Sequence, residues 1–190
     1  MPDEEPILTI RGEKVGLGPI RRDLLHLHVK WANDPEVTVP LGGWAGPSTI
    51  EDQEAWYARD SKRDEKRIVY LIYELVTMRP IGCTDLRDVN YRDRTAWFDV
   101  FIGEKDCWGK GYATETARLM LRYGFEALGL HCILLQVNAD NERAIRAYTR
   151  AGFTVTGRHR EVIRRPGGRV DSVLMDCLAR EFRDERSGGA

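Results

Sequence analysis

Residues 106–125 read DCWGKGYATETARLMLRYGF, a glycine turn running straight into an amphipathic helix. The apolar run Thr95 to Ile102 precedes it as a strand, and from Tyr112 to Leu128 the pattern becomes helical, with Ala113, Ala117, Leu121, Phe125 and Leu128 on one stripe. A helix N-terminus leaves backbone N–H groups unpaired and carries positive partial charge, so an anion placed there gains hydrogen bonds and a favourable dipole. Gly109 and Gly111 have no Cβ to block a phosphate and tolerate positive φ, while Lys110 adds a charge. Two readings stand: an anion-binding turn, or simply a tight strand-to-helix connection. The glycine spacing matches neither a P-loop nor a dinucleotide-binding fingerprint.

Outward from this segment the chain reads as α+β with a mixed sheet. Val15 and Leu17 suggest a first strand, followed by a helix through Leu24, Leu25, Leu27, His28 and Trp31 that Asp23 caps and Asn33-Asp34-Pro35 stops. Ser48 with Glu51 forms a capping-box signature for a helix carrying Ala55, Trp56 and Ala58. The Gly- and Pro-rich stretch Val39 to Pro47 reads as a mobile loop between these helices, and Trp44 within it suits a substrate lid. Ile68 to Val76 and Arg79 to Leu86 read as a hairpin, Ile133 to Val137 as a short buried strand, and Asn141 to Ala151 as a helix ended by Gly152. Val155 to Ile163 and Val170 to Leu178, joined by Pro166-Gly167-Gly168, close the domain. A single domain over residues 1–190 is expected, with a tail from about 183.

The 29 basic and 30 acidic residues nearly cancel, so no global field draws the chain to nucleic acid or to an anionic membrane. Local basic segments such as Arg158 to Arg165 leave a nucleic-acid adaptor as a minor alternative, the plainer reading being a solvated strand face. No signal peptide or membrane-spanning run is apparent, and a cytoplasmic protein is expected. Cys83, Cys107, Cys132 and Cys177 lack any paired spacing, which argues against a metal site or disulfides; Cys107, beside the glycines, is the one candidate for reactivity.

Together with NADNERAIRAYTRAGF at residues 138–153, the glycine segment resembles the two signature segments of the GNAT superfamily of N-acetyltransferases. Asp106, Gly109 and Gly111 stand in the family's Q/R-x-x-G-x-G/A motif, with acid replacing the usual first residue. Trp31-Ala32-Asn33-Asp34-Pro35-Glu36, Ile102-Gly103 and the Asn-x-x-Asn-x-x-Ala-x-x-x-Tyr pattern most resemble the RimJ/RimL-type ribosomal-protein and spermidine acetyltransferases.

The resemblance implies a sheet of about seven strands, mostly antiparallel, flanked by helices and splayed between the fourth and fifth strands. It implies acetyl-CoA as cosubstrate and no metal. Val100, Phe101 and Ile102 would pair with the pantetheine amides, and the backbone of Gly109, Lys110, Gly111, Tyr112, Ala113 and Thr114 would hold the pyrophosphate. Asn141 would bond the cofactor arm, and Asn138 would close the fifth strand at the splay. Read alone, both asparagines are equally turn or cap residues. Dimers are common in similar proteins, so the resemblance leaves a homodimer open without fixing the oligomeric state.

Transfer of acetyl to an amine requires a neutral nucleophile, yet an alkylamine of pKa about 10 is protonated at pH 7, so a proton acceptor is needed. Tyr148 matches the family's general acid for the departing thiolate, the plain alternative being a core tyrosine. Many relatives carry a basic carboxylate at the position of Trp97, which this chain lacks. Asp99 lies on the same strand face and is a candidate base, a substrate-binding group or a solvated carboxylate. Asp34, Glu36, Trp44 and Trp97 are candidate substrate contacts, with Asp34 and Glu36 equally readable as helix-end groups. The acceptor would be a protein N-terminal amine or a small polyamine or amino sugar. The missing carboxylate keeps open a catalytically silent acyl-CoA sensor.

Overall fold

A computed structural model describes residues 5–42, 46–62, 64–165 and 167–183. Trp44 and the tail from residue 184 lie outside these described residues. The chain forms Ile10–Arg11 (β1), Val15–Gly18 (β2), helices Leu25–Ala32 (α1), Pro35–Thr38 (α2) and Ile50–Asp60 (α3), then Ile68–Glu74 (β3), Arg79–Asn90 (β4) and Thr95–Ile102 (β5). Tyr112–Arg122 (α4), Cys132–Asn138 (β6), Glu142–Ala151 (α5), Thr154–Arg165 (β7) and Gly168–Leu178 (β8) complete it.

Among the described residues eight strands form one sheet in the order β1-β2-β3-β4-β5-β6-β8-β7, antiparallel except at β5–β6. The strand beyond the expected seven is β1, whose two residues are too few to show an alternation. Phe98, Val100, Ile133, Leu135, Phe153 and Met175 pack with Ala117, Met120 and Leu121 of α4 on one face. On the other face Leu71, Tyr73 and Cys83 meet Trp56 and Tyr57 of α3. The sheet is thus covered on both sides, and burial of such side chains contributes roughly 25 cal/mol per Å² of apolar surface.

The parallel junction positions the site. β5 pairs with β6 only at Thr95–Cys132, Ala96–Ile133 and Trp97–Leu134. Past Trp97, β5 stays with β4 to Ile102 while β6 stays with β8 to Asn138. The two strands therefore part over half their length, leaving facing backbone groups without a strand partner.

Several local expectations shift. Asp23 does not cap α1; it sits in a 3-10 turn and is held by Arg21 at 2.6 Å, while Leu24 occupies the cap position. The capping box of α3 is Thr49 with Asp52 rather than Ser48 with Glu51, since the helix starts at Ile50; Ser48 Oγ accepts from Gln53 at 2.8 Å instead. The strand β4 extends to Asn90 instead of ending at Leu86, turning through Asp88 at φ 51°. The helical stripe beyond Arg122 continues as a π-turn over Tyr123–Ala127, which places Gly124 against Ile133. Cys107 is buried and burial pushes its thiol pKa up despite Arg79 at 3.1 Å, which favours a packing role over the reactivity expected of a thiolate. Among the described residues, no helix is long and apolar enough to cross a membrane.

Candidate active site

The glycine turn is an open cradle at the head of α4. Gly109 and Gly111 adopt φ of 79° and 86°, values that side-chain-bearing residues rarely tolerate. Gly111 is the N-cap, and no side chain caps the helix, so its first N–H groups point outward unused by other side chains. The turn is fixed from behind. Tyr112 Oη donates to Glu74 Oε1 at 2.6 Å, and Thr77 Oγ1 donates to Glu74 Oε2 at 2.6 Å. The Glu115 carboxylate accepts from the Lys14 N–H at 3.0 Å and from Glu13, tying the β1–β2 hairpin to the first turn of α4. The Lys110 ammonium turns towards Glu74, 3.8 Å away, so it neutralises the strut instead of reaching over the cradle.

A cavity of about 300 Å³ leads from this cradle into the splay. It is lined by Val100, Phe101 and Ile102 of β5, by Gly109, Gly111, Tyr112, Ala113 and Thr114, and by Asn141. Of the residues to which the resemblance gave the cofactor, Lys110 and Asn138 do not line it, and the Ile102 carbonyl already accepts from the Trp108 indole at 2.8 Å. Arg143, Arg146 and Arg150 of α5 also line it. Arg143 lies over the Trp108 ring at 4.2 Å, a stacked cation that sequence reading missed because its aromatic partner is 35 residues away by position.

A second cavity, of about 700 Å³, opens on the opposite side of the splay, between the sheet and α1 and α3. It shares Val37, Pro40, Leu41, Val100, Phe101, Asn141 and Tyr148 with the first, so the two halves meet between the turn at Pro40 and Tyr148. Tyr148 packs edge-on to Phe98 at 6.2 Å and Phe153 at 6.1 Å. Burial, and to a smaller extent the Asp99 carboxylate, pushes its phenol pKa well above the ordinary range. The phenol is therefore fully protonated at neutral pH, the state a proton donor requires. Asn138, which also lines this cavity, donates to the Pro40 carbonyl at 2.7 Å and tethers the turn over the splay. Asn141 accepts from Ala144 N at 3.1 Å, so it both caps α5 and faces the junction.

The charged residues of the second cavity are paired. Asp99 and Asp85 are cross-strand partners in the β4–β5 ladder. Arg87 donates to Asp99 at 2.5 Å, and Arg67 lies 2.9 Å from Asp85. Asp85 is 7% exposed, and its pKa is pushed up to about 6 by burial and then by the Asp99 charge, against the pull of Arg67 and Arg87. His28, its ring tilted against Trp56 with centroids 4.6 Å apart, has its pKa driven down to about 4 by burial and is neutral. Sequence reading reached Asp99 and missed Asp85, Arg67, Arg87 and His28. The available signal was Cys83-Thr84-Asp85, a carboxylate inside an otherwise buried strand.

The remaining candidates fall elsewhere. Asp34 lines neither cavity: it caps α2, accepting from Glu36 N at 2.9 Å, and holds Lys105 at 2.9 Å, whose hydrogen bond lowers its pKa. Glu36 also reaches Lys105, at 3.2 Å, and borders the cofactor-side cavity instead of the acceptor side. Trp97 lies outside both cavities, with Arg87 over its ring at 5.5 Å. Trp31 is buried, donates to Glu104 at 2.8 Å, and packs so closely on Gly103 that a Cβ there would come within 2.3 Å of the indole. Among the described residues no group of three or more His, Cys, Asp or Glu could hold a metal ion.

A sheet splayed beside a glycine cradle, with a tyrosine between two cavities, defines a cofactor-dependent group-transfer fold. The chain belongs to the acetyltransferase (GNAT) domain family, whose model matches residues 14–154. It is similar to the spermidine N(1)-acetyltransferase of Escherichia coli (strain K12), 40% identical over 76 residues. That stretch covers 40% of this chain and only 40% of the E. coli protein. Its fold is also that of the spermidine N-acetyltransferase from Vibrio cholerae in complex with CoA and spermine, with TM-score 0.81 and 24% identity over 90% of this chain and 98% of that one. A dodecameric structure of the V. cholerae enzyme matches with TM-score 0.73 and 24% identity, covering 88% of this chain and 95% of that one.

Proposed function

We propose that the protein is an acetyl-CoA-dependent N-acetyltransferase that moves the acetyl group by direct attack of a primary amine. The observation that carries this reading is the junction of the two cavities at Val100, Phe101, Asn141 and Tyr148. Acetyl-CoA would lie in the first cavity, with its pyrophosphate on the N–H groups of Gly109 to Thr114, its pantetheine along Val100 to Ile102, and Arg143, Arg146 and Arg150 balancing its negative charge. The thioester would then reach the splay, where β5 backbone groups lacking a strand partner can hold the oxyanion. Attack by the amine forms the C–N bond and breaks the C–S bond, and Tyr148 protonates the departing sulfur.

The acceptor is best taken as a small polyamine or amino sugar, the former in line with the spermidine-acetylating relative, rather than a protein N-terminus. The acceptor cavity supports this, because α1, α3 and the turn at Pro40 wall it from three sides. Within the family the chain falls with the RimJ/RimL-type and spermidine acetyltransferases. Residues 1–190 are taken as one domain acting in the cytoplasm, in a homo-oligomer of at least a dimer. A thiol-release assay across spermidine, amino sugars and an N-terminal peptide tests the reading. Release with a small amine supports it, and a blank panel with retained acetyl-CoA binding replaces it with the silent sensor.

A further inference from the structure

The transferase reading leaves the amine's proton without a receiver, since Trp97 stands where many relatives carry a carboxylate and Asp99 is already gripped by Arg87 at 2.5 Å. Asp85 is ion-paired too, with Arg67 at 2.9 Å, but through one carboxylate oxygen only. It is more than nine-tenths buried, it lines the acceptor-side cavity, and its Oδ1 has no hydrogen-bond partner. A buried carboxylate oxygen left unpaired carries a desolvation cost that structures seldom tolerate without use.

Its surroundings are asymmetric in charge. Arg67 touches Asp85 at 2.9 Å and also lies 3.5 Å from Asp60 of α3, so the guanidinium is shared between two carboxylates. From β5 the facing group is Asp99, and from β4 itself the same face carries Cys83 and Arg87. From β3 the opposed residue is the apolar Val69, and from α1 the titratable residue lining the same cavity is His28, which is neutral and meets Cys83. A like charge across the ladder and a divided cation favour the protonated acid, which a proton acceptor must be able to become.

Resting on the transferase reading, we propose that Asp85 is the proton acceptor for the attacking amine, paired across the β4–β5 ladder with Asp99, which holds the substrate's positive charge beside it. The ammonium gives one proton to the Asp85 carboxylate, and the freed lone pair forms the C–N bond with the thioester carbon. Collapse breaks the C–S bond, the thiolate takes the Tyr148 proton, and the second proton on nitrogen returns through water to the tyrosinate. One proton remains on Asp85 and leaves to solvent, which balances the conversion of ammonium and thioester into amide, thiol and H⁺.

The test is the pH dependence of kcat with acetyl-CoA and spermidine, or with whichever amine the wild type turns over best. The wild-type rate should rise through pH about 6, where Asp85 loses its proton, and then level. Asp85→Asn should lower kcat at pH 7 by about 10²–10⁴-fold, lose the plateau, and climb with slope one into the alkaline range as free amine accumulates. Its affinity for acetyl-CoA should be unchanged, and Asp85→Glu should recover the plateau. An active wild type whose plateau survives in Asp85→Asn, at full or reduced rate, overturns the proposal and leaves Asp85 a structural partner of Arg67. A wild type inactive on every amine overturns the transferase reading and this proposal with it.

Discussion

The cofactor side and the acceptor side of the splay are built from different material. On the cofactor side the groups that would meet the ligand are mostly main chain, contributed by Gly109 to Thr114 and by β5 where it leaves β6. On the acceptor side they are side chains drawn from α1, β4, β5 and the segment before β3, and their charges cancel in pairs, Arg67 with Asp85 and Arg87 with Asp99. A backbone site is fixed by local turn chemistry and tolerates few substitutions. A side-chain site can be retuned for a new acceptor one residue at a time.

The contrast can be broken most sharply at Gly111. A valine there would have to adopt φ near 86°, which a β-branched residue does not do without strain. Gly111→Val is expected to abolish acetyl-CoA binding by calorimetry while circular dichroism stays unchanged; undiminished binding would remove the pyrophosphate from the cradle.

Next in size is Tyr148→Phe, which removes one oxygen at the junction of the cavities. It is expected to lower kcat by about 10²–10³-fold with little change in acetyl-CoA affinity. Equal losses in both would make Tyr148 a packing residue. Asp99→Asn should act on the acceptor alone, raising KM for a cationic amine by roughly tenfold, in keeping with loss of one charge-assisted contact worth about 1.5 kcal/mol. An unchanged KM would assign Asp99 only to Arg87.

Smaller still is an effect on stability. The folded-state pKa of Asp85 is raised, so the folded chain binds its proton more tightly than the unfolded chain does. Its contribution is therefore greatest below the unfolded value of 3.8 and is lost as pH rises through about 6. Urea unfolding between pH 4 and 7 should show this decline in the wild type and a flatter profile in Asp85→Asn, measured against the remaining carboxylates common to both.

The same contrast explains what could be read from the sequence. The period change at Tyr112, the glycine pair and the Asn141 cap are local, and each was legible because one stretch of chain contains the whole device. The splay followed only from the resemblance, since no local pattern says that β5 and β6 part after Trp97. Asp34 stayed ambiguous because an acidic residue before Pro35 serves a helix cap as naturally as a ligand, and Lys105, which pairs with it, lies on a distant turn. Asp85 escaped notice because its significance depends on Asp99 across the ladder and Arg67 beside it, neither of which is near in sequence.

The measurement that bears most directly on the two-cavity junction is the affinity of a conjugate in which CoA sulfur is joined through an acetyl bridge to spermidine. If the cavities meet at Tyr148, the conjugate fills both and should bind at least tenfold more tightly than CoA, a gain of about 1.4 kcal/mol or more, with the excess reduced in Asp99→Asn. Equal affinity for the conjugate and for CoA, in both proteins, would contradict a continuous passage from cofactor to acceptor.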